Sequence, residues 1–269
     1  MKLSRIIKFI DKEITQYFHF PIPEIISILI ITIFSLNTFS LLSHNSLNLE
    51  HMTGGRLFSI YASSKVIDTN INRFLHSLGL CNINSFPVLL AVVLTALTIG
   101  EAFEKGRAVT MLSYPISRIE FILNKILTIL IVLMVCLIMP IVLVMLSVFP
   151  IRGVLIIGLL GWCWSLVMFV ILTSLMAITF RRSLPAILTT LFISFFIELL
   201  STNLGTMHLM YIFNPSEVLI GYFYPASLSG LFINMPDIKD VLLSIGTGFL
   251  VLIGCTILLV WRIKNMDVK

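Results

Sequence analysis

Side chains able to do chemistry are scarce in this chain, and most of them gather in one stretch. From Gly100 to Arg118 it reads G-E-A-F-E-K-G-R-A-V-T-M-L-S-Y-P-I-S-R, its densest run of charge. Glu101, Glu104 and Lys105 fall within about two helical turns, Arg107 follows, and Gly106 and Pro115 delimit the helix. Phe103, Met111 and Leu112 add apolar anchors. A short charged helix with such anchors is built to dock into another protein's groove.

The chemistry that is missing narrows the choice further. G-x-x-x-x-G-K-[ST], whose backbone amides cradle nucleotide phosphates, does not occur, so any ATP must be handled by a different chain. Neither H-E-x-x-H nor G-x-S-x-G occurs, and His19, His44, His51, His76 and His208 form no i, i+4 pair for a metal. Cys136, Cys163 and Cys255 lie in apolar runs and Cys81 in a polar loop, with no C-x-x-C spacing, so packing is their expected role. Glu198, near the end of an apolar run, is the one acidic candidate inside a span, and reaching interfacial water accounts for it. The chain is therefore not expected to be an enzyme or to hold a cofactor or metal.

The elements that position the charged stretch are set by hydropathy. Hydrophobic residues make up 58% of the chain and charged residues 12%, and the mean hydropathy of +1.06 lies far outside the soluble range. The polar stretches are too short to fold alone, so one membrane domain over residues 1–269 is expected. A bilayer core needs about 20 apolar residues per helix. Six runs qualify: 25–42, 86–101, 121–149, 154–180, 184–200 and 241–261, with Pro140 as a kink in the third. The expected fold is thus an all-α integral membrane protein with six transmembrane helices. Leu3, Ile6, Ile7, Ile10, Ile14 and Phe18 recur at helical spacing opposite Arg5, Lys8, Asp11 and Lys12, which describes an amphipathic N-terminal helix lying in the membrane plane. Nothing there has the pattern of a cleavable signal.

Charge then orients the spans. The net charge of +5 could suggest a nucleic-acid partner, but no basic patch is interleaved with aromatics. With both termini inside, the cytoplasmic segments collect Lys2, Arg5, Lys8, Lys12, Lys105, Arg107, Arg118, Lys125, Arg181, Arg182, Arg262, Lys264 and Lys269. The outer ones hold Arg56, Lys65, Arg73, Arg152 and Lys239. A loop at 101–120 then faces the cytoplasm, and loops at 43–85 and 201–240 face outward. The first outer loop is rich in Asn and Ser and has the size of a small cap; the second, with Asn214-Pro215, Pro225 and Pro236, suits short broken helices at the interface. Gly158-x-x-Gly161 and Gly246-x-Gly248 allow close helix approach.

Glu101-x-x-x-x-Gly106 with a following Leu, then Tyr-Pro-Ile-Ser-Arg and Lys125, resembles the segment between the second and third spans of ABC type-2 transporter permeases, the membrane subunits of ABC exporters. The six spans, the in-plane N-terminal helix and the Asn-Pro segment before the last span resemble that family too. The resemblance implies that this loop is a coupling helix seated in a cytoplasmic ABC ATPase subunit. Glu101, Glu104, Lys105, Gly106 and Arg107 would be its contact and turn residues, and Pro115, Ser117 and Arg118 would fix re-entry into the membrane. It departs from the family at Arg107, where a small polar residue is more usual. It further implies a plasma-membrane location, contact with lipid, a second permease chain in a homodimer or heterodimer, and ATP and Mg bound in the partner subunit. A different class of reading, a non-transporting anchor or assembly factor that recruits a cytoplasmic protein through the same loop, uses the same residues.

Overall fold

The computed structural model describes residue 32 and residues 86–106, 117–140, 142–143, 153–204, 212–224 and 237–265. Among these residues all regular structure is helical: α1 (Phe86–Glu104), α2 (Arg118–Leu133), α3 (Gly153–Phe180), α4 (Ser183–Leu204), α5 (Ser216–Phe223) and α6 (Ile238–Lys264). Three helices, over 118–136, 153–180 and 238–264, are long and apolar enough to cross a bilayer. The chain is a helical membrane protein. The N-terminal amphipathic segment, span 25–42 apart from residue 32, and loop 43–85 lie outside the described residues.

Helix starts are fixed by polar caps that a search for apolar runs does not see. The Ser117 hydroxyl accepts from the Glu120 amide (3.2 Å), and the Glu120 carboxylate accepts from the Ser117 amide (3.2 Å). This reciprocal box satisfies amides that a helix start leaves without partners, and it sets α2 going before the apolar run at Phe121. Asp237 and Asp240 form the same box at α6. Ser117→Ala is expected to lower the stability of the detergent-solubilised protein by about 1 kcal/mol, read as a depressed thermal midpoint, with Thr at this position restoring it.

Pro140 is expected to kink its helix. Just ahead of it the structure has a π-helical turn at Met134–Ile138, where the Met139 amide bonds to the Met134 carbonyl. A proline ring clashes with the carbonyl four residues earlier, here Cys136. That carbonyl lies inside the widened turn, so the π register moves it aside.

Helix directions follow from the packing. The end of α1 meets the junction of α3 and α4: a Cβ added at Gly100 would lie 2.6 Å from the Ser183 backbone, a separation only glycine permits. α6 runs beside α3 in the same sense. Gly248 and Phe249 lie against Trp164, whose ring is 4.7 Å from that of Phe249, and farther along Leu252 and Cys255 pack around Met168, Phe169 and Leu172. The ends of α1, α3 and α6 and the start of α4 therefore share one side. That side carries Glu101, Glu104, Lys105, Arg181, Arg182, Arg262 and Lys264, while the opposite end of α6 carries Asp237, Lys239 and Asp240. The core between α1, α3 and α4 is built from small and branched residues: Ala91, Ala96, Ile99, Val170, Ala177, Ile178 and Ala186.

One of the basic residues assigned to the cytoplasmic surface is not on a surface. Lys125 is 2% exposed, about two turns into α2, with its ammonium 5.2 Å from the centre of the Phe121 ring. Because the Ser117 cap starts α2 early, Lys125 is already within the packed helix, and it leaves the tally of surface charges.

Candidate functional site: the charged end of the bundle

The last turn of α1 makes two different kinds of ion contact. Glu101 and Lys105, one turn apart, form a pair at 2.5 Å on a partly exposed face. Such a pair contributes a few tenths of a kcal/mol at most. Glu104 reaches across to α4 instead. Its carboxylate accepts a hydrogen bond from the Ser183 amide (2.8 Å) and from the Ser183 hydroxyl (3.3 Å to each oxygen). The Ser183 amide is one of the donors that a helix start leaves unsatisfied, and negative charge there is favoured by the helix dipole. Glu104 is thus the cap of α4, supplied from 79 residues away in sequence.

Two positive backbone angles frame this contact. Arg181 (φ 54°) breaks the chain between α3 and α4, with its amide still bonded to the Ala177 carbonyl at 2.8 Å. Gly106 (φ 66°) ends α1, its amide bonding to the Phe103 carbonyl at 3.2 Å. A Cβ at Gly106 would meet nothing within 4 Å among the described residues, so Gly106→Ala tests chiefly the left-handed conformation. We expect it to cost about 1 kcal/mol in thermal unfolding, and Gly106→Asn to cost less.

Ser117 and Arg118 are exposed at the start of α2, Ser117 as its cap and Arg118 as its first residue. Arg107 and Pro115 lie outside the described residues. Of the residues singled out in the sequence, the structure brings together Glu101 with Lys105, and it ties Glu104 to a residue that was not singled out. Ser183 carried a readable signal: a serine followed by Leu-Pro is a helix start. Its acidic partner had none, because the contact crosses from one helix to another. Beside it, Glu104, Arg181, Arg182, Leu184 and Pro185 line an open recess of about 500 Å³.

The Asn-Pro segment leads into the short helix α5 and runs along α3. The Trp164 indole donates to the Ile212 carbonyl (3.1 Å), Ser165 donates to the Phe213 carbonyl (2.7 Å), and Tyr224 sits against Gly153. Asn214 Oδ1 accepts from both the amide (3.2 Å) and the hydroxyl (2.6 Å) of Ser216, closing the turn that starts α5. Non-helical backbone among apolar helices needs such side-chain partners, since lipid offers none. Gly161 and Gly248 make the room: a Cβ on Gly161 would lie 2.4 Å from Ser216 Cβ, and one on Gly248 3.1 Å from the Ile212 carbonyl. A Cβ on Gly246 would meet nothing within 4 Å among the described residues.

Cys136 is buried and Cys163 and Cys255 are half-buried. Among the described residues no group of three His, Cys, Asp or Glu side chains could hold a metal ion. No family model, curated protein or solved structure matches the chain.

Proposed function

We propose that this chain is the membrane permease subunit of an ATP-binding-cassette exporter. In this reading it crosses the cell membrane six times with both termini in the cytoplasm. It pairs with a second permease chain, identical or related, and a separate cytoplasmic ATPase binds ATP and Mg and seats the loop 101–120. The observation that carries the reading is the Glu104–Ser183 cap. An ATPase that pushes on this loop moves the transmembrane helices only if the loop is fastened to more than its own helix. Glu104 fastens it to α4, and α3 ends at the same junction. ATP then shifts the bundle between two states through a difference in how the loop is held in each.

The test is purification of the full chain from its own membrane. We expect a stoichiometric nucleotide-hydrolysing subunit to accompany it, and Glu101→Lys combined with Lys105→Glu to loosen that association. A stable cytoplasmic partner that hydrolyses no nucleotide overturns the exporter and supports the recruiting anchor.

A further inference from the structure

The geometry points to a binding site for an anionic phospholipid at the junction of α3 and α4, its phosphate held by Arg181 and Arg182 and an acyl chain laid along α4. Both arginines are exposed and line the recess described above. The Arg182 side chain makes no hydrogen bond or ion pair among the described residues. Among the described residues the one carboxylate lining the recess is Glu104, and its oxygens already accept from Ser183. Guanidinium forks suit phosphate oxygens. Basic pockets between helices at the inner membrane face recognise such headgroups.

The rest of the lining favours a lipid over a free anion. Leu184 and Pro185 form the apolar side of the recess. From Leu184 an exposed stripe continues through Leu188, Phe192, Phe195, Phe196 and Leu199, all within one third of the helix circumference at 100° per residue. Phe192 and Phe196 stack with centres 6.1 Å apart and give the stripe a flat wall. From Leu184 to Leu199 the helix rises about 22 Å, which exceeds the roughly 15 Å of one leaflet's half of the hydrocarbon core. Headgroup contact and chain contact are thus continuous on one helix. This proposal concerns lipid recognition and stands apart from the exporter reading.

The test is titration of the purified full chain, in neutral detergent, with fluorescent phosphatidylglycerol and with phosphatidylcholine. Phosphatidylglycerol is expected to bind roughly tenfold tighter. Arg182→Gln should weaken it roughly five-fold, and the Arg181→Gln/Arg182→Gln pair roughly thirty-fold, with phosphatidylcholine unchanged. Glycerophosphoglycerol, the same headgroup without acyl chains, and inorganic phosphate should compete poorly. Equal binding of the two lipids, or phosphatidylglycerol binding unchanged in Arg182→Gln, overturns the proposal. So does competition by the free headgroup or by phosphate as effective as by the lipid. If the double variant loses its thermal transition, the single variant and the two-lipid comparison on the unaltered chain decide.

Discussion

Replacing Gly161 by alanine is expected to unseat α5 from α3 at a large cost in stability. The new Cβ would lie 2.4 Å from Ser216 Cβ, 2.9 Å from the Ser216 amide nitrogen and 3.0 Å from Asn214 Oδ1. Only Asn214 Oδ1 is the far end of a side chain, and two hydrogen bonds from Ser216 hold it in place. Two belong to a backbone-anchored helix start, and the third is the oxygen that closes the Asn214 turn. The α5 segment must therefore move away from α3, which loosens the Ser165–Phe213 and Trp164–Ile212 bonds as well. Overpacking alone costs about 1–3 kcal/mol, and each buried polar group left without its partner adds about 1–3 kcal/mol. Gly161→Ala should thus lower the thermal midpoint sharply, and Gly161→Leu should leave little folded protein on size exclusion. Gly254→Ala supplies the control: among the described residues nothing would lie within 4 Å of its Cβ, so alanine there should be neutral or stabilise by about 0.5–1 kcal/mol. Equal effects at the two positions would show that α5 does not seat against Gly161.

Reversing the charge at Glu104 should have the largest effect on activity. Glu104→Lys removes the acceptor from the Ser183 amide and hydroxyl and puts a cation at a helix start, beside Arg181 and Arg182. Glu104 is exposed, so solvent screening holds the loss to about 1–2 kcal/mol, enough to weaken the junction without unfolding the bundle. Two readouts follow. Amide exchange at Ser183 should accelerate by about tenfold, and this holds whatever the protein does. If the exporter reading is right, ATP-driven cargo movement should fall by a similar factor or more while the partner's basal ATP hydrolysis continues. Glu104→Gln, which keeps an acceptor oxygen but not the charge, should sit between the two. Slow exchange preserved in Glu104→Lys would remove the junction as the route from loop to helices.

Much of this protein is legible one residue at a time. An excess of apolar side chains in long uninterrupted runs leaves lipid as the only workable solvent, and helix as the only way to satisfy the backbone there. Helix ends are partly legible, because Ser117-x-x-Glu120 and Asp237-x-x-Asp240 are local devices. Of the basic residues placed at one end by counting along the chain, Lys105, Arg181, Arg182, Arg262 and Lys264 are grouped together by the helix directions, and Lys125 is buried. The pairings between helices are another matter. Glu104 and Ser183 meet only because α1, α3 and α4 pack in one register, and no local pattern contains that register. Gly161 and Gly246 look alike in sequence, yet one holds α5 and a Cβ on the other would meet nothing within 4 Å among the described residues. The physical reason is that lipid is as apolar as a protein interior, so a face turned to lipid and a face turned to a neighbour carry the same side chains. Leu188 and Phe192 on the outside of α4 are as hydrophobic as Phe169 and Ile178 in the core. Hydropathy thus determined that the chain enters a membrane as helices. Which small residues touch, which carboxylate caps which helix, and where the Asn-Pro turn rests were decided by tertiary packing.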